Sequence, residues 1–414
     1  MRYAIVSKGL TIAELEAEAK KAGAREIREA GYVGELFCEL DEEQAKRLSA
    51  LPGLAVKRLR EFRTDQVPAA APVETFTDVF HLLRSYFTPP LTGTGLTVAV
   101  LDSGIRGTHQ SLTGKVVHED NFTDSPTAGD VFGHGTQVAY VAAGGLHGGE
   151  RAGVSPGASL MNTKVINDQG FGTDESVVAG IDRVCGLAVK ARENGLWPTD
   201  DAYPNILNLS LGAEDDGDPD NPVRAACRRA SVDYGLDVVA AAGNYGPRMT
   251  TVTVPACDPE TIAVGAVMTF GDLTVWEKSS RGPTARGDTK PDFVLWGTDL
   301  EMASHRDDEG YLTKSGTSFA APMLSGLAGL LWESGRRAYG GLWRFRWTEA
   351  REFALYFCTK PPNAALKKDN AYGFGLPAVG AMLGAMETAR RPEEEMMAML
   401  PMMIMLGMMR GVVV

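Results

Sequence analysis

The stretch Leu96-Thr-Val-Ala-Val-Leu-Asp102 is a nearly continuous apolar run that ends in a carboxylate. Similar runs recur along the chain and alternate with stretches of helical periodicity. Strands that are apolar on both sides indicate a parallel sheet covered by helices on both faces. The sequence therefore predicts an α/β domain with a doubly wound, mainly parallel sheet. The other predicted strands are Leu160–Val165, Ile206–Leu209, Val238–Ala242 and Thr261–Val267, and the predicted helices are Gln137–Ala143, Asp174–Glu193, Pro222–Tyr234 and Ser318–Ser334.

The overall composition is that of a globular protein with a large core. Of the 414 residues, 44% are hydrophobic and 23% are charged, a balance that argues against wholesale disorder. The formal net charge of -12 argues against nucleic acid as a partner, because binding to a phosphate backbone needs clustered lysine and arginine. The five cysteines are scattered and form no Cys-x-x-Cys pair, which favours buried free thiols over a zinc site or a disulfide framework.

Residues 1–65 are predicted to form a small α+β domain of ferredoxin-like type, with two helices on one face of a sheet. Thr11 followed by Glu14 is a capping-box pattern that would start the first of these helices. Residues 66–75 are rich in proline and alanine without periodicity, which is typical of an exposed linker. The expected strands are Tyr3–Val6, Glu35–Leu40 and Leu54–Leu59, and the expected helices are Thr11–Ala24 and Asp41–Leu51.

The large α/β domain is expected over residues 76–390, and a methionine-rich tail follows at residues 391–414. Met-rich apolar surfaces are adaptable binding faces. Pro401, Gly407 and Arg410 interrupt a run that is barely long enough to span a bilayer, so we expect a tail that binds a partner or drives oligomerisation rather than a transmembrane helix. A flexible tail, or one packed on its own domain, remains an alternative. The first apolar run is too short for a signal-peptide core, which predicts a cytoplasmic protein.

Three side chains stand at strand and helix ends where serine chemistry would need them. Such chemistry needs a hydroxyl, an imidazole that takes its proton and a carboxylate that orients the imidazole. Asp102 follows a predicted strand, His134 lies at the mouth of a predicted helix, and Ser318 opens another. Taken singly, each has an ordinary alternative: a turn-capping aspartate, a structural histidine and a helix-capping serine.

Together, the segments around these residues resemble the three active-site motifs of the subtilisin-like serine protease family. The resemblance covers roughly residues 94–385 and implies a serine endopeptidase that works through Asp102, His134, Ser318 and an acyl-enzyme. The three residues also follow the family's chain order of aspartate, histidine and serine. The matching segments are Val98-Ala-Val-Leu-Asp102-Ser-Gly104, His134-Gly-Thr-Gln-Val-Ala139 and Gly316-Thr-Ser318-Phe-Ala-Ala-Pro322.

A fourth segment, Val238-Val-Ala-Ala-Ala-Gly-Asn244, reads as a buried strand that ends in asparagine. Asn244 by itself fits a turn. The family resemblance instead implies that its side-chain amide donates to the oxyanion of the tetrahedral intermediate. By the same resemblance, residues 1–65 are similar to the family's inhibitory propeptide and would be an intramolecular inhibitor. Self-cleavage near Pro68–Pro72 is left open.

The predicted substrate is a protein or peptide segment in extended conformation. Its backbone would pair with two edge segments, Gly170-Phe171-Gly172 and Ser210-Leu211-Gly212. Because such strand addition relies on main-chain hydrogen bonds, it depends only weakly on the side chains of the substrate. By position in the family pattern, Thr253 lies at the floor and Tyr245 at the rim of the pocket for the residue before the scissile bond. Neither is charged, so we expect broad specificity with an apolar or medium-sized residue there.

No cofactor is expected for catalysis, and no metal ligand is assigned. Structural calcium is common in the family, but Ser111 stands where many relatives carry a calcium-binding aspartate, so the commonest site is expected to be missing. The acidic stretch Glu214–Asp220 is expected to be a solvated loop, with weak ion binding as the alternative. The alternative function from another class is a catalytically silent, protease-like binding or scaffold protein.

Overall fold

The computed structural model describes most of the chain, in eight ranges. These ranges are residues 1–64, 67–68, 90–145, 152–196, 200–268, 273–340, 343–380 and 382–383. The Met-rich tail at 391–414 and residues 69–75 of the predicted linker lie outside them, so the docking role of the tail stays a prediction. Within the described ranges, no helix is both long and apolar enough to cross a membrane.

The N-terminal domain has a four-stranded antiparallel sheet with strand order β2-β3-β1-β4. The capping box predicted from Thr11 and Glu14 is present at the first helix. Strand β2 was not predicted, because its mostly exposed residues alternate charge rather than hydrophobicity. The elements are β1 (Arg2–Ser7), α1 (Ile12–Lys21), β2 (Arg25–Ala30), β3 (Glu35–Glu39), α2 (Glu42–Ser49) and β4 (Leu54–Arg58), followed by two short strands, β5 (Glu61–Arg63) and β6 (Val67–Pro68).

The large domain is built on a seven-stranded parallel sheet, which confirms the predicted class. Its strand order is β14-β13-β12-β11-β7-β9-β8. The two edge strands, β8 and β14, were missed by the sequence prediction. The sheet strands are β7 (Thr97–Asp102), β8 (Val116–Asn121), β9 (Ser159–Lys164), β11 (Ile206–Leu209), β12 (Asp237–Ala241), β13 (Ile262–Val267) and β14 (Phe293–Trp296), and the smaller strands are β10 (Phe171–Thr173), β15 (Leu300–Ala303), β16 (Tyr311–Ser315), β17 (Cys358–Thr359) and β18 (Leu376–Pro377).

Helices cover both faces of the large sheet, and the alternation in β7 shows how. Val98 and Val100 belong to the core on one face, Ala99 and Leu101 to the core on the other, and all four are buried. The first face carries α3 and α6, and the second carries α4 and α5. The helices are α3 (His134–Ala143), α4 (Asp174–Glu193), α5 (Pro222–Val232), α6 (Thr317–Tyr339) and α7 (Trp347–Ala350), which runs into a 3-10 turn at Arg351–Tyr356.

The N-terminal domain packs on the side of the large domain that carries α4 and α5. Ala4, Val33 and Phe37 share one buried apolar cluster with residues of α4 such as Val177 and Ile181. The opposite face of the small sheet forms a separate core with α1 and α2. The contact between the two domains therefore includes a buried apolar cluster.

All five cysteines are free, as the sequence favoured. Four of them are buried, and Cys358 is half-buried.

Candidate active site

Asp102 and His134 form a buried hydrogen-bonded pair at the carboxyl edge of the parallel sheet. Asp102 is the last residue of β7, and His134 is the first residue of α3. The two carboxylate oxygens lie 2.8 and 3.0 Å from Nδ1 of His134, and both side chains are almost fully buried. The capping residue Gly133 has φ of 99°, a conformation that favours glycine, and this turn aims the imidazole at the carboxylate.

The side chain of Asp130, which was not predicted as a site residue, links the end of β7 to the start of α3 through hydrogen bonds. It accepts hydrogen bonds from the backbone N–H groups of Gly133 and Thr136 in the first turn of α3. The Ser103 hydroxyl donates to it at 2.9 Å and in turn accepts the Gly135 N–H. Burial raises the pKa of Asp130, and these hydrogen bonds only partly offset the effect. An aspartate just before a helix is a recognisable N-terminal signal.

Ser318 is the second residue of α6, and it directly precedes a phenylalanine that contacts the imidazole. Gly316 caps this helix and Thr317 is its first residue, so the alternative of Ser318 as the capping serine is wrong. The Ser318 hydroxyl donates to the backbone carbonyl of Ser210 at 3.3 Å. The next residue, Phe319, packs against the His134 ring with centroids 5.6 Å apart. Among the described residues, Nε2 of His134 has no hydrogen-bond partner.

A chain of buried hydrogen bonds fixes α6 against the end of β11. The Ser210 hydroxyl donates to the backbone carbonyl of Ser318 at 2.7 Å and accepts from the Asn208 amide at 3.0 Å. The Ser325 hydroxyl, two turns along α6, donates to Asn208 Oδ1 at 2.9 Å. The serine is thus held rigidly by elements from two layers of the fold.

Asn244 follows β12 and faces the start of α6. Its Oδ1 accepts hydrogen bonds from the Thr317 backbone N–H at 3.0 Å and from the Thr317 hydroxyl at 2.9 Å. The Thr317 hydroxyl also accepts the Gly243 N–H at 3.2 Å. Because Oδ1 is held by these donors, the amide nitrogen is turned the other way, and a side chain at Gly316 would begin 3.6 Å from it.

One small cavity brings together most of the predicted substrate-binding residues. Thr253 is buried and Tyr245 is half exposed, which fits a pocket with a floor and a rim. Arg63, from the end of the N-terminal domain, also lines the cavity and was not predicted. The predicted residues that line it are Ser210, Leu211, Gly212, Asn244, Tyr245, Thr253 and Ser318.

The two predicted substrate-binding edges are already paired with a strand of this chain. Strand β10 contains Phe171 and Gly172 and pairs antiparallel with β5. On its other side β5 meets Gly212, where the Arg63 N–H donates to the Gly212 carbonyl at 3.3 Å and the Gly212 N–H donates back at 3.1 Å. Gly170 lies just before β10 and makes no pair with β5. Glu61–Arg63 is too short for its sequence to have predicted a strand.

The chain pairs with the large domain again four residues after Arg63. Val67 and Pro68 form β6, which pairs antiparallel with Ser315 and Lys314 of β16. The predicted linker therefore begins with a strand. Strand β6 thus pairs with a residue three positions before Ser318, and β5 pairs with Gly212, two positions after the carbonyl that accepts the Ser318 hydroxyl.

The acidic stretch Glu214–Asp220 is not the solvated loop that its sequence indicated. Three of its aspartates form ion pairs with the N-terminal domain: Asp216 with Arg60, Asp218 with Lys57 and Asp220 with Lys8. Asp215 lies 3.7 Å from the buried guanidinium of Arg224. Across the described ranges, no group of three or more carboxylate, histidine or cysteine side chains is arranged to hold a metal ion.

The sequence of this chain is similar to those of known proteins from one family. A sequence model of the subtilase family matches residues 93–375. The chain is 33% identical over 264 residues to the serine protease AprX of Bacillus subtilis (strain 168), and this match covers 58% of either protein. It is 30% identical over 332 residues to subtilisin of Bacillus sp. (strain TA39), covering 73% of this chain and 74% of that protein. Identity to thermitase of Thermoactinomyces vulgaris is 31% over 257 residues, or 59% of this chain and 78% of thermitase.

These matches support a serine endopeptidase, and subtilases need no cofactor for catalysis. The match spans little more than half the length of AprX. The matched family region begins at residue 93, so the N-terminal domain lies outside it.

Proposed function

Because the chain belongs to the subtilase family, we propose that it is a serine endopeptidase with Ser318 as nucleophile, His134 as general base and Asp102 as the carboxylate that orients it. The observation that carries the proposal is the buried Asp102–His134 hydrogen bond beside the first turn of α6. An acceptor at Nδ1 keeps the Nδ1–H tautomer, which leaves Nε2 as the base.

In the proposed reaction, Nε2 of His134 takes the Ser318 proton as Oγ attacks the substrate carbonyl. The imidazolium then gives this proton to the leaving amine, and an acyl-enzyme remains on Ser318. His134 next takes a proton from water, which attacks the ester, and returns it to Oγ. Asp102 stays ionised throughout and stabilises the imidazolium.

Asn244 is proposed to stabilise the oxyanion of the tetrahedral intermediate. Support comes from its fixed orientation, because Thr317 donates to Oδ1 and the amide nitrogen is therefore directed away from Thr317. A donor already held in place costs no reorganisation when the charge develops.

Substrate binding itself is proposed to release the nucleophile. The Ser318 hydroxyl donates to the Ser210 carbonyl. An antiparallel strand that pairs with Gly212, as β5 does, presents a backbone N–H to Ser210 two residues further on. That N–H competes for the Ser210 carbonyl, and the displaced hydroxyl can turn to Nε2 of His134.

Specificity is proposed to be broad, with an apolar or medium-sized residue before the scissile bond. Support comes from the cavity beside Ser318, where Thr253 and Tyr245 contribute no charge. Backbone pairing along the two edges adds affinity that depends little on side chains.

The N-terminal domain is proposed to be an intramolecular inhibitor. In support, β5 is paired with β10 and with Gly212, the edges expected to bind substrate. Phe62 in this strand is fully buried, which anchors it. Zymogens and autocatalytic processing are typical of the family. Since β5 ends at Arg63 and β6 begins at Val67, we place the processed bond between Thr64 and Val67 rather than near Pro68–Pro72.

Labelling with a fluorophosphonate tests the peptidase proposal. The full-length protein and its Phe62→Ala variant, which loosens β5, should be labelled, and Ser318→Ala should not. Ser334→Ala, a buried serine of the same helix, is the matched control and should be labelled like wild type. Absence of label from both wild type and Phe62→Ala would instead favour a catalytically silent scaffold.

A further inference from the structure

Glu35 is a buried carboxyl group in the contact between the two domains. In β3, Leu36 and Cys38 point into the core of the N-terminal domain, whereas Phe37 belongs to the cluster shared with α4 and α5. Glu35 lies on the same face of the strand as Phe37. Its side chain is fully buried, and within the described part of the chain neither carboxyl oxygen has a hydrogen-bond partner.

The charged groups around Glu35 do not compensate for the effect of burial on its carboxyl group. Burial is the main influence and raises the pKa of Glu35 well above its usual range. Arg229 of α5 acts in the opposite direction, but its guanidinium donates to the Ser7 carbonyl at 3.1 Å. Asp174 and Asp182 of α4 raise the Glu35 pKa further.

Burial also raises the pKa values of other titratable groups at this contact. Burial raises the pKa of Asp174 to about 6, even though the Arg60 N–H donates to it. Burial also raises the pKa of Asp182, which accepts the Val33 N–H at 2.8 Å. Cys227 of α5 faces Glu35 too, and burial raises its thiol pKa, so this thiol stays neutral near pH 7.

We propose that Glu35 makes the attachment of the N-terminal domain sensitive to pH: the domain is held while Glu35 is protonated and is released as Glu35 ionises. This inference rests on the proposed inhibitory role of the domain and adds the signal that would relieve the inhibition. An unpaired carboxylate cannot remain buried cheaply, so ionisation favours the separated state, where water solvates it.

The direction of the effect follows from linkage. In the separated state Glu35 titrates near the ordinary pKa of a glutamate, and in the attached state burial makes its pKa higher. The stabilisation of the attached state is therefore complete below about pH 4 and is lost as the pH rises through the raised pKa values. Each titrating group weakens the attachment by up to about tenfold per pH unit in that window.

The surface ion pairs have the opposite dependence and act at lower pH. Burial alone would raise the pKa of Asp218, but the hydrogen bond and charge of Lys57 lower it overall. This pair stabilises the attachment above the ordinary aspartate pKa and is lost as the pH falls. The attachment should therefore be tightest in mildly acidic solution and loosen towards neutral pH.

Hydrogen exchange in the full-length Ser318→Ala protein tests the inference without requiring peptidase activity. The reporters are the amides of Arg63 and Gly212, whose hydrogen bonds cross the contact. After correction for intrinsic exchange, their protection should fall at least tenfold between pH 5 and pH 8. Adding Glu35→Gln should make this fall at least threefold smaller without abolishing it, because Asp174 and Asp182 still titrate. Glu29→Gln, an exposed glutamate of β2, should leave it unchanged.

Protection in the Ser318→Ala protein that stays constant with pH would overturn the inference. So would a Ser318→Ala, Glu35→Gln double variant with the same fall as Ser318→Ala alone. Glu35→Met, an apolar residue of similar volume, should behave like Glu35→Gln. Failure of the proposed function is read separately, because it appears as absent fluorophosphonate labelling of Ser318 in the wild-type protein whatever the exchange result.

Discussion

The backbones of Arg63 and Gly212 exchange two hydrogen bonds, with N···O distances of 3.3 and 3.1 Å. This pairing joins the end of the N-terminal domain to the cavity that contains Ser318. An extended segment of the chain thus occupies the edge that is proposed to bind a substrate strand. The proposed site is therefore covered by a segment of its own chain, and this geometry leads to four predictions.

Replacing Asp102 with Asn should lower kcat about 10⁴-fold. The amide can donate to Nδ1, which favours the tautomer with a proton on Nε2, and that nitrogen can then no longer accept the Ser318 proton. KM should change little, because Asp102 does not line the substrate cavity. Steady-state hydrolysis of a chromogenic peptide measures both constants. Glu119→Gln, an exposed acid of β8, is the control, and equal losses in the two variants would contradict the assigned role.

Replacing Asn244 with Leu should lower kcat about 10²–10³-fold, the usual effect of removing one oxyanion-hole donor. The effect should appear in kcat rather than KM, because the oxyanion exists only near the transition state. The same peptide assay measures it. An unchanged kcat would show that Asn244 only braces Thr317.

Phe62→Ala should open the site at least tenfold faster than in wild type. Truncation of a fully buried phenylalanine costs about 3–5 kcal/mol, and here most of that cost falls on the attached state. The rate of fluorophosphonate labelling measures the opening. The control is Leu51→Ala, a partly exposed leucine of the N-terminal domain. If Phe62→Ala labels at the wild-type rate, β5 does not limit access.

A positional peptide library should prefer apolar or medium-sized side chains at the residue before the scissile bond. Thr253→Asp would place a carboxylate at the pocket floor and should shift the preference towards Lys or Arg. A wild-type preference for charged residues would contradict the assignment of this pocket.

The central elements of the fold were predictable from the sequence because burial imposes a clear pattern on them. Strand Ile206–Leu209 and helix Asp174–Glu193 have the predicted bounds. The strand is almost entirely apolar and buried, and the helix is long enough to show a clear helical pattern. Edge strands were missed. Val116–Asn121 has a largely polar sequence, and Phe293–Trp296 follows a proline and is only four residues long.

The pairing partners in the candidate site could not be read from local sequence. Glu61–Arg63 is a strand only because Phe171–Thr173 and Gly212 offer it backbone partners. Glu35 occurs in the apolar strand β3, and nothing in its neighbours along the chain indicates that a second domain covers it. Contacts between segments far apart in the chain decide both features.

Sequencing of new N-termini tests the central claim most directly. The claim is that Ser318 is an active nucleophile and that the enzyme cleaves its own chain between β5 and β6. After incubation of the purified full-length protein at neutral pH, wild type should acquire an N-terminus at residue 65, 66 or 67, and Ser318→Ala should stay intact. Cleavage of wild type and Ser318→Ala at the same bond would contradict the account. So would a Phe62→Ala protein, with Ser318 intact, that stays whole.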